Sequence, residues 1–496
     1  MPLTPKAIYE DLVNKDLDKP FAIELLLTLI DNAENIETRI ESINTLNTIQ
    51  VDDEKTFKFL EHLLISDLNE DIRNLTIIVL KNHYLDRALD PMVWALEHER
   101  SLKCKISIIK TIGEINTDEA KSVLIKKIKK LYNKENYFVL KHRFTKDSIE
   151  NIPNIELAEI LINYYVILFL KNTFGYIKYK NNEFGSINEL DLSNVERYSS
   201  GLNKLENFLE SIFSLRDLKK CDLRFNHLTN IPEIFNDSIE YLDLSYNKIV
   251  KLPDLQNFKM LKSLNLKSNR LRNLPESIGS LTSLEYLNLR NNMISSLPKS
   301  LSYLSSLKIL DLHGNKLNSI SVNLNKSILE LEIGWNYFDT IPKGIKLLPS
   351  LERLGFGGNK LINLPNWIRL YHSLKQLELY DNKLIKIPES IGSLKSLERL
   401  NLRNNQLNTL PRSLINLQSL KLLNLSWNNF AILPEWIGSL SSLEELNLWG
   451  NQLESVPKSI ASLSSLKLID LNFNKIEEIP SFLKELEQEK GLIIKI

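Results

Sequence analysis

The side chains that could carry out chemistry are few in this 496-residue chain. It contains two cysteines, Cys104 and Cys221, and seven histidines. Two cysteines cannot supply a four-ligand zinc site or a disulfide framework, and the histidines show no metal-ligand spacing. We therefore expect no metal or cofactor, and we interpret both cysteines as small buried side chains rather than nucleophiles.

The stretch Gly355-Phe356-Gly357-Gly358 is glycine-rich, as phosphate-binding loops are. Those loops join a strand to a helix, whereas this stretch falls within a predicted strand and the turn that follows it. The chain has no G-x-x-x-x-G-K-[ST] sequence, no kinase-type catalytic motif and no isolated acid–base pair suited to catalysis. These features predict that the chain is not an enzyme.

Composition limits the partners and the compartment. The 62 basic residues equal the 62 acidic residues, a balance that disfavours nucleic-acid binding through bulk charge. The N-terminus lacks the basic stretch and apolar core of a secretory signal. Residues 155–170 are the most apolar segment, but they are shorter than the ~20 residues that span a bilayer and include Glu156 and Glu159. We expect a buried helix there, no membrane insertion and a cytoplasmic protein.

The elements that would position a functional surface are sequence repeats. The pattern L-x-x-L-x-L-x-x-N-x-L-x-x-L-P recurs twelve times, from repeat 1 at Leu218 to repeat 12 at Leu466, in steps of 21 to 23 residues. Positions are numbered from the first apolar residue of each repeat. Position 9 is asparagine in every repeat: Asn226, Asn247, Asn269, Asn292, Asn315, Asn336, Asn359, Asn382, Asn405, Asn428, Asn451 and Asn474.

The pattern has a direct physical interpretation. The L-x-L alternation predicts a short strand with positions 4 and 6 on one face. The asparagine amide can donate to and accept from backbone groups left unpaired where the chain turns after that strand, so stacked repeats predict an asparagine ladder. Apolar residues spaced i, i+3 and i+6 after the Leu-Pro pair indicate a single helical or 3₁₀ turn on the convex side.

The repeats resemble a leucine-rich repeat array, of the L-P subtype found in intracellular Ras-pathway scaffolds and plant intracellular Ras-group-related proteins. The resemblance covers residues 187–480 and implies an α/β solenoid with a parallel sheet on its concave face. It also implies protein partners such as a Ras-like small GTPase or a phosphatase subunit. Residues 187–217 form an additional, degenerate repeat before repeat 1, with Val195 in place of asparagine at position 9. We expect this repeat to cap the array.

The region before the repeats has helical apolar periodicity. Arg39, Arg73 and Lys105 align at spacings of 34 and 32 residues. This weak repeat resembles HEAT-like or armadillo-like helical pairs, which implies an all-α solenoid. The predicted organisation is therefore a helical region (1–133), a junction with a capping helix (134–186), the leucine-rich repeats (187–480) and a C-terminal cap (481–496).

Positions 2, 3, 5, 7 and 8 are predicted to face the concave side or its edge. Position 2 alternates in charge from repeat to repeat, which predicts ion pairs between neighbouring strands that set register and solubility. His313, at position 7, is predicted to be an exposed surface residue. Arg353 and Arg403 are predicted to lie within reach of one partner.

Aromatic residues at positions 7 and 8 are the candidate partner contacts. They include Trp335, Tyr380, Trp427 and Trp449, and the glycines between Trp335 and Tyr380 predict a shallow depression walled by rings. Exposed Trp, Tyr and Arg are enriched at binding hot spots. Two interpretations are open: repeats 6 to 11 hold the main partner site, or the rings pack on each other and bind nothing.

The sequence thus favours a non-enzymatic scaffold or adaptor in intracellular signal transduction, linked to a small GTPase by the resemblance alone. The alternatives are a substrate-recognition subunit of a ubiquitin-type ligase and an immune-type ligand sensor. Neither cysteine fits a catalytic ligase, and no nucleotide-binding module or membrane segment accompanies the repeats.

Overall fold

The structure is a computed structural model, and it describes residues 4–132, 149–182, 185–198, 204–233 and 236–496. Residues 134–148 of the predicted junction (134–186) lie outside the described residues. The chain divides into two compact units. The helical unit comprises Met1–Asp191 and Val195–Lys219, and the repeat unit comprises Leu192–Asn194 and Lys220–Ile496.

The helical unit begins with helices joined by short turns, and most of them start at a side-chain cap. Thr4, Asp18, Asn35, Asp53 and Asn69 each accept a hydrogen bond from a backbone N–H in the first turn of the helix that follows. The helices are α1 (Pro5–Asn14), α2 (Lys19–Asn32), α3 (Ile36–Ile49), α4 (Glu54–Ser66), α5 (Glu70–His83), α6 (Leu89–His98), α7 (Leu102–Glu114) and α8 (Asp118–Tyr132).

Of the three basic residues that align in the helical repeat, Arg39 and Arg73 each pair with a carboxylate, whereas Lys105 does not. Arg39 pairs with Asp67 and donates to the carbonyl of Ile30. Arg73 forms two hydrogen bonds to the carboxylate of Glu99, at 2.8 and 2.9 Å. Lys105 instead lies over the ring of Tyr165, 5.5 Å from its centroid.

A long apolar helix, α9 (Asn154–Phe174), packs against α7 and α8. It is long and apolar enough to cross a membrane by length and composition, but 56% of its most apolar window is buried within the protein. This agrees with the predicted buried helix. The unit also holds the antiparallel strands β1 (Lys178–Asn181) and β2 (Ile187–Asp191) and a short helix, α10 (Leu209–Phe213). Ile187 N–H donates to the Asn163 side chain at 2.8 Å, which ties β2 to α9.

The repeat unit is built on parallel strands of three residues, one for each repeat, followed by the C-terminal helix α11 (Ser481–Lys490) and a last strand. Each strand pairs in register with the next. The strands are β3 (Lys220–Asp222), β4 (Tyr241–Asp243), β5 (Ser263–Asn265), β6 (Tyr286–Asn288), β7 (Ile309–Asp311), β8 (Glu330–Glu332), β9 (Arg353–Gly355), β10 (Gln376–Glu378), β11 (Arg399–Asn401), β12 (Leu422–Asn424), β13 (Glu445–Asn447), β14 (Leu468–Asp470) and β15 (Ile493–Lys495).

The convex side carries the predicted single turns. Each is a 3₁₀ turn that begins directly after the proline of the Leu-Pro pair or its Ile-Pro or Val-Pro equivalent. The turns are Glu276–Ser280, Lys299–Tyr303, Lys343–Ile345, Asn366–Leu370, Glu389–Ser393, Arg412–Asn416, Glu435–Ser439 and Lys458–Ser462. Apolar residues at positions 1, 4, 6 and 11 fill the space between the sheet and these turns, and they are nearly all fully buried.

The asparagines of position 9 join neighbouring repeats. Asn382 is representative: its Nδ2 donates to the carbonyls of Leu379 in its own repeat (3.0 Å) and Phe356 in the preceding repeat (2.9 Å). Its Oδ1 accepts from the backbone N–H of Leu361 at 2.9 Å. Asn474, in the last repeat, is half-buried, and the position 9 asparagines before it are buried.

Candidate partner-binding surface

Position 8 has an unusual backbone conformation in all twelve repeats. Its φ is positive in each, between 51° and 70°: Phe225, Tyr246, Ser268, Asn291, Gly314, Trp335, Gly358, Asp381, Asn404, Trp427, Gly450 and Phe473. Glycine and asparagine accept this left-handed region readily, whereas a bulky side chain there costs roughly 1–2 kcal/mol. Five of the twelve are nevertheless aromatic, which points to a role for those rings beyond folding.

Three rings form a continuous row on repeats 10 to 12, which we call the C-terminal aromatic row. The centroids of Trp427 and Trp449 are 5.2 Å apart, and those of Trp449 and Phe473 are 5.8 Å apart, both in edge-to-face contact. Trp427 is 45% exposed and Phe473 is 77% exposed. Trp449 lies between them and is half-buried, so the row is an apolar surface that opens to solvent mainly at its two outer rings.

Replacement of Phe473 by asparagine tests whether its ring is kept for stability. Because the ring is mostly exposed and its backbone is left-handed, we expect Phe473→Asn to change the free energy of unfolding by less than about 1 kcal/mol, in either direction. Chemical denaturation followed by circular dichroism measures this difference. A loss of more than about 2 kcal/mol would show that the ring is a folding contact.

The centre of the concave face differs from the sequence prediction. The predicted depression at Gly355, Gly357 and Gly358 is not open. A Cβ on Gly357 would come within 2.4 Å of the Tyr380 ring, and one on Gly358 within 2.7 Å of the Trp335 ring. The two rings rest on these glycines, and the Glu332 carboxylate lies against Gly355. These side chains therefore fill the space that was expected to be open.

In two repeats, glycine at position 8 leaves room for the aromatic ring at position 8 of the preceding repeat, as Gly358 does for Trp335. Trp427 lies over Gly450 in the same way, with its ring 3.0 Å from a Cβ built there. Tyr380 is half-buried, and burial raises its pKa, while a hydrogen bond with Trp335 opposes that rise. Trp335 remains 54% exposed although its ring rests on Gly358, so the central rings differ from the C-terminal aromatic row in lacking a continuous three-ring contact rather than in exposure.

His313 and Arg353 also depart from their predicted environments. His313 is buried, with 9% of its surface exposed, and its ring lies over Gly334. Burial, reinforced by the nearby charge of Arg290, lowers the pKa of His313 to about 4, so the ring is neutral at pH 7. Arg353 is exposed but forms an ion pair with Glu332 at 2.7 Å. This ion pair joins it to the neighbouring strand, and its contact with a partner stays a prediction.

Arg403 remains an exposed side chain at position 7 of repeat 9. Within the described parts of the chain it forms no ion pair. It lies on the strand next to the repeat of Trp427, at the edge of the C-terminal aromatic row. Of the two predicted arginines, it is the one available to a carboxylate of a partner.

A second aromatic pair, at the other end of the array, was missed by the sequence analysis. Phe225 and Tyr246 stack with centroids 4.3 Å apart and ring planes 10° from parallel. Both are exposed, and the Nζ of Lys267 lies 5.2 Å from the centroid of the Tyr246 ring. The signal that could have identified them is the recurrence of aromatic residues at position 8.

The charges of position 2 form the predicted ion pairs. Five lysines each bind the glutamate of the preceding repeat at 2.5 to 2.8 Å, in the pairs Lys262–Glu240, Lys308–Glu285, Lys375–Glu352, Lys421–Glu398 and Lys467–Glu444. Nearly all of these side chains are exposed, so solvent screens the pairs and each contributes little to stability. They set register and leave little net charge on this part of the face.

The cysteines are both buried, as predicted. Burial raises the pKa of the Cys104 thiol to about 12, so it is protonated at neutral pH and is a poor nucleophile. Across the residues that the structure describes, no group of three or more His, Cys, Asp or Glu side chains could hold a metal ion.

Comparison with known proteins agrees with the repeat architecture. The family described as "Leucine-rich repeat region" matches residues 242–359 and 355–478. The volume-regulated anion channel subunit LRRC8D of Rattus norvegicus is 28% identical over 177 residues, which are 34% of this chain and 19% of that protein. Human lumican is 33% identical over 119 residues, or 22% of this chain and 35% of lumican. The chain thus spans about a fifth to a third of these two relatives.

Two solved structures are similar to this chain over 60 to 65% of its length. A leucine-rich repeat protein of Leptospira interrogans is 31% identical, with 65% of this chain and 94% of that chain covered and a TM-score of 0.48. An internalin of Listeria monocytogenes is 23% identical, with 60% and 84% covered and a TM-score of 0.53. The repeated strands, the asparagine ladder and the family match together identify residues 242–478 as a leucine-rich repeat region.

Proposed function

We propose that this chain is a non-enzymatic scaffold that holds a protein partner on the C-terminal aromatic row of its concave sheet. The observation that carries the proposal is the continuous Trp427–Trp449–Phe473 row, in which Trp427 and Phe473 are exposed and sit on left-handed backbone. Large aromatic side chains exposed on a rigid frame are the residues that dominate binding energy at protein interfaces.

The surroundings of the row suit a protein partner. Leu422 and Leu468 lie half-buried at position 3 of repeats 10 and 12. Polar residues occupy position 5 of repeats 10 to 12: Asn424, Asn447 and Asp470. Arg403 supplies a charge at the margin. An apolar centre with a polar margin is the usual anatomy of a protein interface.

The finer identity of the partner is also a proposal. The L-P form of the repeats supports a Ras-like small GTPase or a phosphatase subunit as the partner class, in cytoplasmic signalling. That support is the resemblance of the repeat type alone. If the partner is instead a ubiquitin-type ligase subunit, the chain is a substrate-recognition subunit of that ligase. If the partner is a microbial molecule, the chain is an immune-type ligand sensor.

Affinity capture with the purified full chain tests the row. We expect Trp427→Ala with Trp449→Ala to reduce recovery of the specific partner at least about tenfold, because both hot-spot rings are lost. Partner recovery is quantified by mass spectrometry against the wild-type chain. Trp436→Ala, which removes a tryptophan from a convex 3₁₀ turn, is the matched control and should leave recovery unchanged.

A second double variant separates the two regions of the concave face. Trp335→Ala with Tyr380→Ala removes the two central rings, of which Trp335 is exposed and Tyr380 is half-buried. If partner recovery falls with this variant but not with Trp427→Ala with Trp449→Ala, the binding site lies on repeats 6 to 8. Full recovery with both variants would contradict the proposal.

A further inference from the structure

The edge of the repeat unit that follows the asparagine ladder carries a row of cations. Position 10 comes directly after each ladder asparagine, and positions 12 and 13 lie beside it on the same edge. In repeats 2 to 8 these positions hold eight exposed basic residues, which we call the basic edge: Lys248, Lys251, Arg270, Arg272, Lys316, Lys360, Lys383 and Lys386. The same positions of these repeats hold one acidic residue, Asp339.

These cations differ from the lysines of position 2. Every lysine listed above at position 2 has a glutamate partner, whereas none of the eight basic-edge residues forms an ion pair within the described part of the chain. One of them, Lys360, lies over the ring of Tyr337, 5.0 Å from its centroid. The fold therefore neutralises charge on the sheet but leaves it uncompensated along this edge.

The basic edge is held at a regular spacing by the backbone. The N–H of position 10 donates to the carbonyl of position 11 in the preceding repeat, as Lys248 does to Leu228, Lys316 to Ile294 and Lys383 to Leu361, at 2.8 to 2.9 Å. At the spacing of hydrogen-bonded strands, the six steps from Lys248 to Lys383 extend roughly 29 Å. An extended ligand could contact the edge over that length without rearranging the protein.

Aliphatic side chains are interleaved with these charges. Val250, Ile362 and Ile385 occupy position 12 and are each close to half exposed. A phosphate backbone gains little from aliphatic contacts, and single-stranded nucleic acids are usually bound by stacking on aromatic rings. A polypeptide with both acidic and aliphatic side chains would match the two components of the edge.

At the other end of the array the edge has the opposite charge. In repeats 11 and 12 the same positions hold Glu454, Glu477 and Glu478 with a single Lys475. The excess of positive charge is therefore confined to repeats 2 to 8 and is not a general property of leucine-rich repeat surfaces in this chain.

We propose that the basic edge of repeats 2 to 8 is a second interaction surface, which binds an extended acidic segment of a partner protein that also carries aliphatic residues. This surface is separate from the C-terminal aromatic row. The two proposals can therefore succeed or fail independently.

A fluorescein-labelled 16-residue peptide of aspartate, glutamate and leucine is the probe, with binding to the full chain measured by fluorescence anisotropy. We expect binding at 50 mM salt that weakens at least about tenfold at 300 mM, as screened charge contacts do. Replacing the leucines by serine should weaken it further. The variant Lys248→Glu, Lys316→Glu, Lys360→Glu should lower the affinity at least about tenfold.

The matched control has the same change in net charge on the convex turns: Lys299→Glu, Lys343→Glu, Lys458→Glu. It should bind the peptide within about twofold of the wild type, and so should Trp427→Ala with Trp449→Ala. Circular dichroism checks that each variant is folded. No peptide binding, or an equal loss in the convex control, would overturn the proposal. So would tighter binding of a 20-residue oligothymidylate or of phosphatidylserine vesicles through the same three lysines.

Discussion

Asn382→Ala is expected to lower the free energy of unfolding of the repeat unit by about 3 kcal/mol. The substitution removes the amide that satisfies the carbonyl of Phe356 and the N–H of Leu361, both in the buried interior. Each buried backbone group left without a partner costs about 1–3 kcal/mol. Because Asn382 joins repeats 7 and 8, the loss also weakens the coupling that makes the array unfold cooperatively.

Asn429→Ala is the matched control, since Asn429 is exposed and lies one position after a ladder asparagine. We expect a change of less than about 0.5 kcal/mol there. Urea denaturation of the full chain, followed by tryptophan fluorescence, measures both variants. Five of the six tryptophans lie in the repeats, so this signal reports mainly on the repeat unit. Equal stability of the two variants would mean that the ladder does not hold the repeats together.

Arg73→Met is expected to destabilise the helical unit by about 3–5 kcal/mol. Arg73 forms two hydrogen bonds to Glu99, whose side chain is 5% exposed, and also donates to the carbonyl of Asp67 at 2.9 Å. Removing one member of a buried ion pair leaves the other charge uncompensated in a poorly solvated site. Hydrogen exchange of peptides from α5 to α7 measures the loss of protection within this unit.

The effect of Arg73→Met should depend on pH in a defined direction. Burial alone raises the pKa of Glu99, but hydrogen bonds from Arg73 and from the N–H groups of Ser101 and Arg100 outweigh it, so the pKa lies below its ordinary value. A depressed carboxyl pKa contributes stability above the unfolded value that is lost as the pH falls through the folded value. The difference between wild type and variant should therefore be greatest above ~pH 5 and shrink on acidification.

An exposed pair in the same unit provides the comparison. Lys81 and Glu114 are paired at 2.6 Å, but both side chains are more than a third exposed. Lys81→Met should cost less than about 1 kcal/mol. If Arg73→Met and Lys81→Met lose equal protection, the Arg73–Glu99 pair has no special role in holding the helices together.

Much of the repeat architecture could be predicted because its determinants are local and periodic. Within each repeat, the alternating apolar residues specify the strand and the asparagine at position 9 specifies the turn after it. The proline that follows marks the start of the convex 3₁₀ turn. The alternating charges of position 2 were enough to predict pairs such as Lys308–Glu285, since adjacent repeats place equivalent positions side by side. The buried helix α9 followed from its apolar composition and its acidic residues.

The details of the concave face could not be predicted, because they depend on which side chain covers which neighbour. The sequence shows that Gly357 lacks a side chain but not that the Tyr380 ring occupies the space. Likewise, the His313 ring occupies the space beside Gly334, the residue at the same position of the next repeat, where any larger residue would have a side chain. The Glu332 partner of Arg353 depends on the same cross-strand geometry, with Gly355 leaving room for the carboxylate.

Hydrogen exchange of the full chain, alone and saturated with its captured partner, tests most directly whether the concave aromatic row is the binding surface. The row predicts slower exchange on binding in the segments that span Leu422 to Trp427, Glu445 to Gly450 and Leu468 to Phe473, with the convex turn Glu435–Ser439 unchanged. Protection confined to the convex turns or to the helical unit, with none in these three segments, would contradict it.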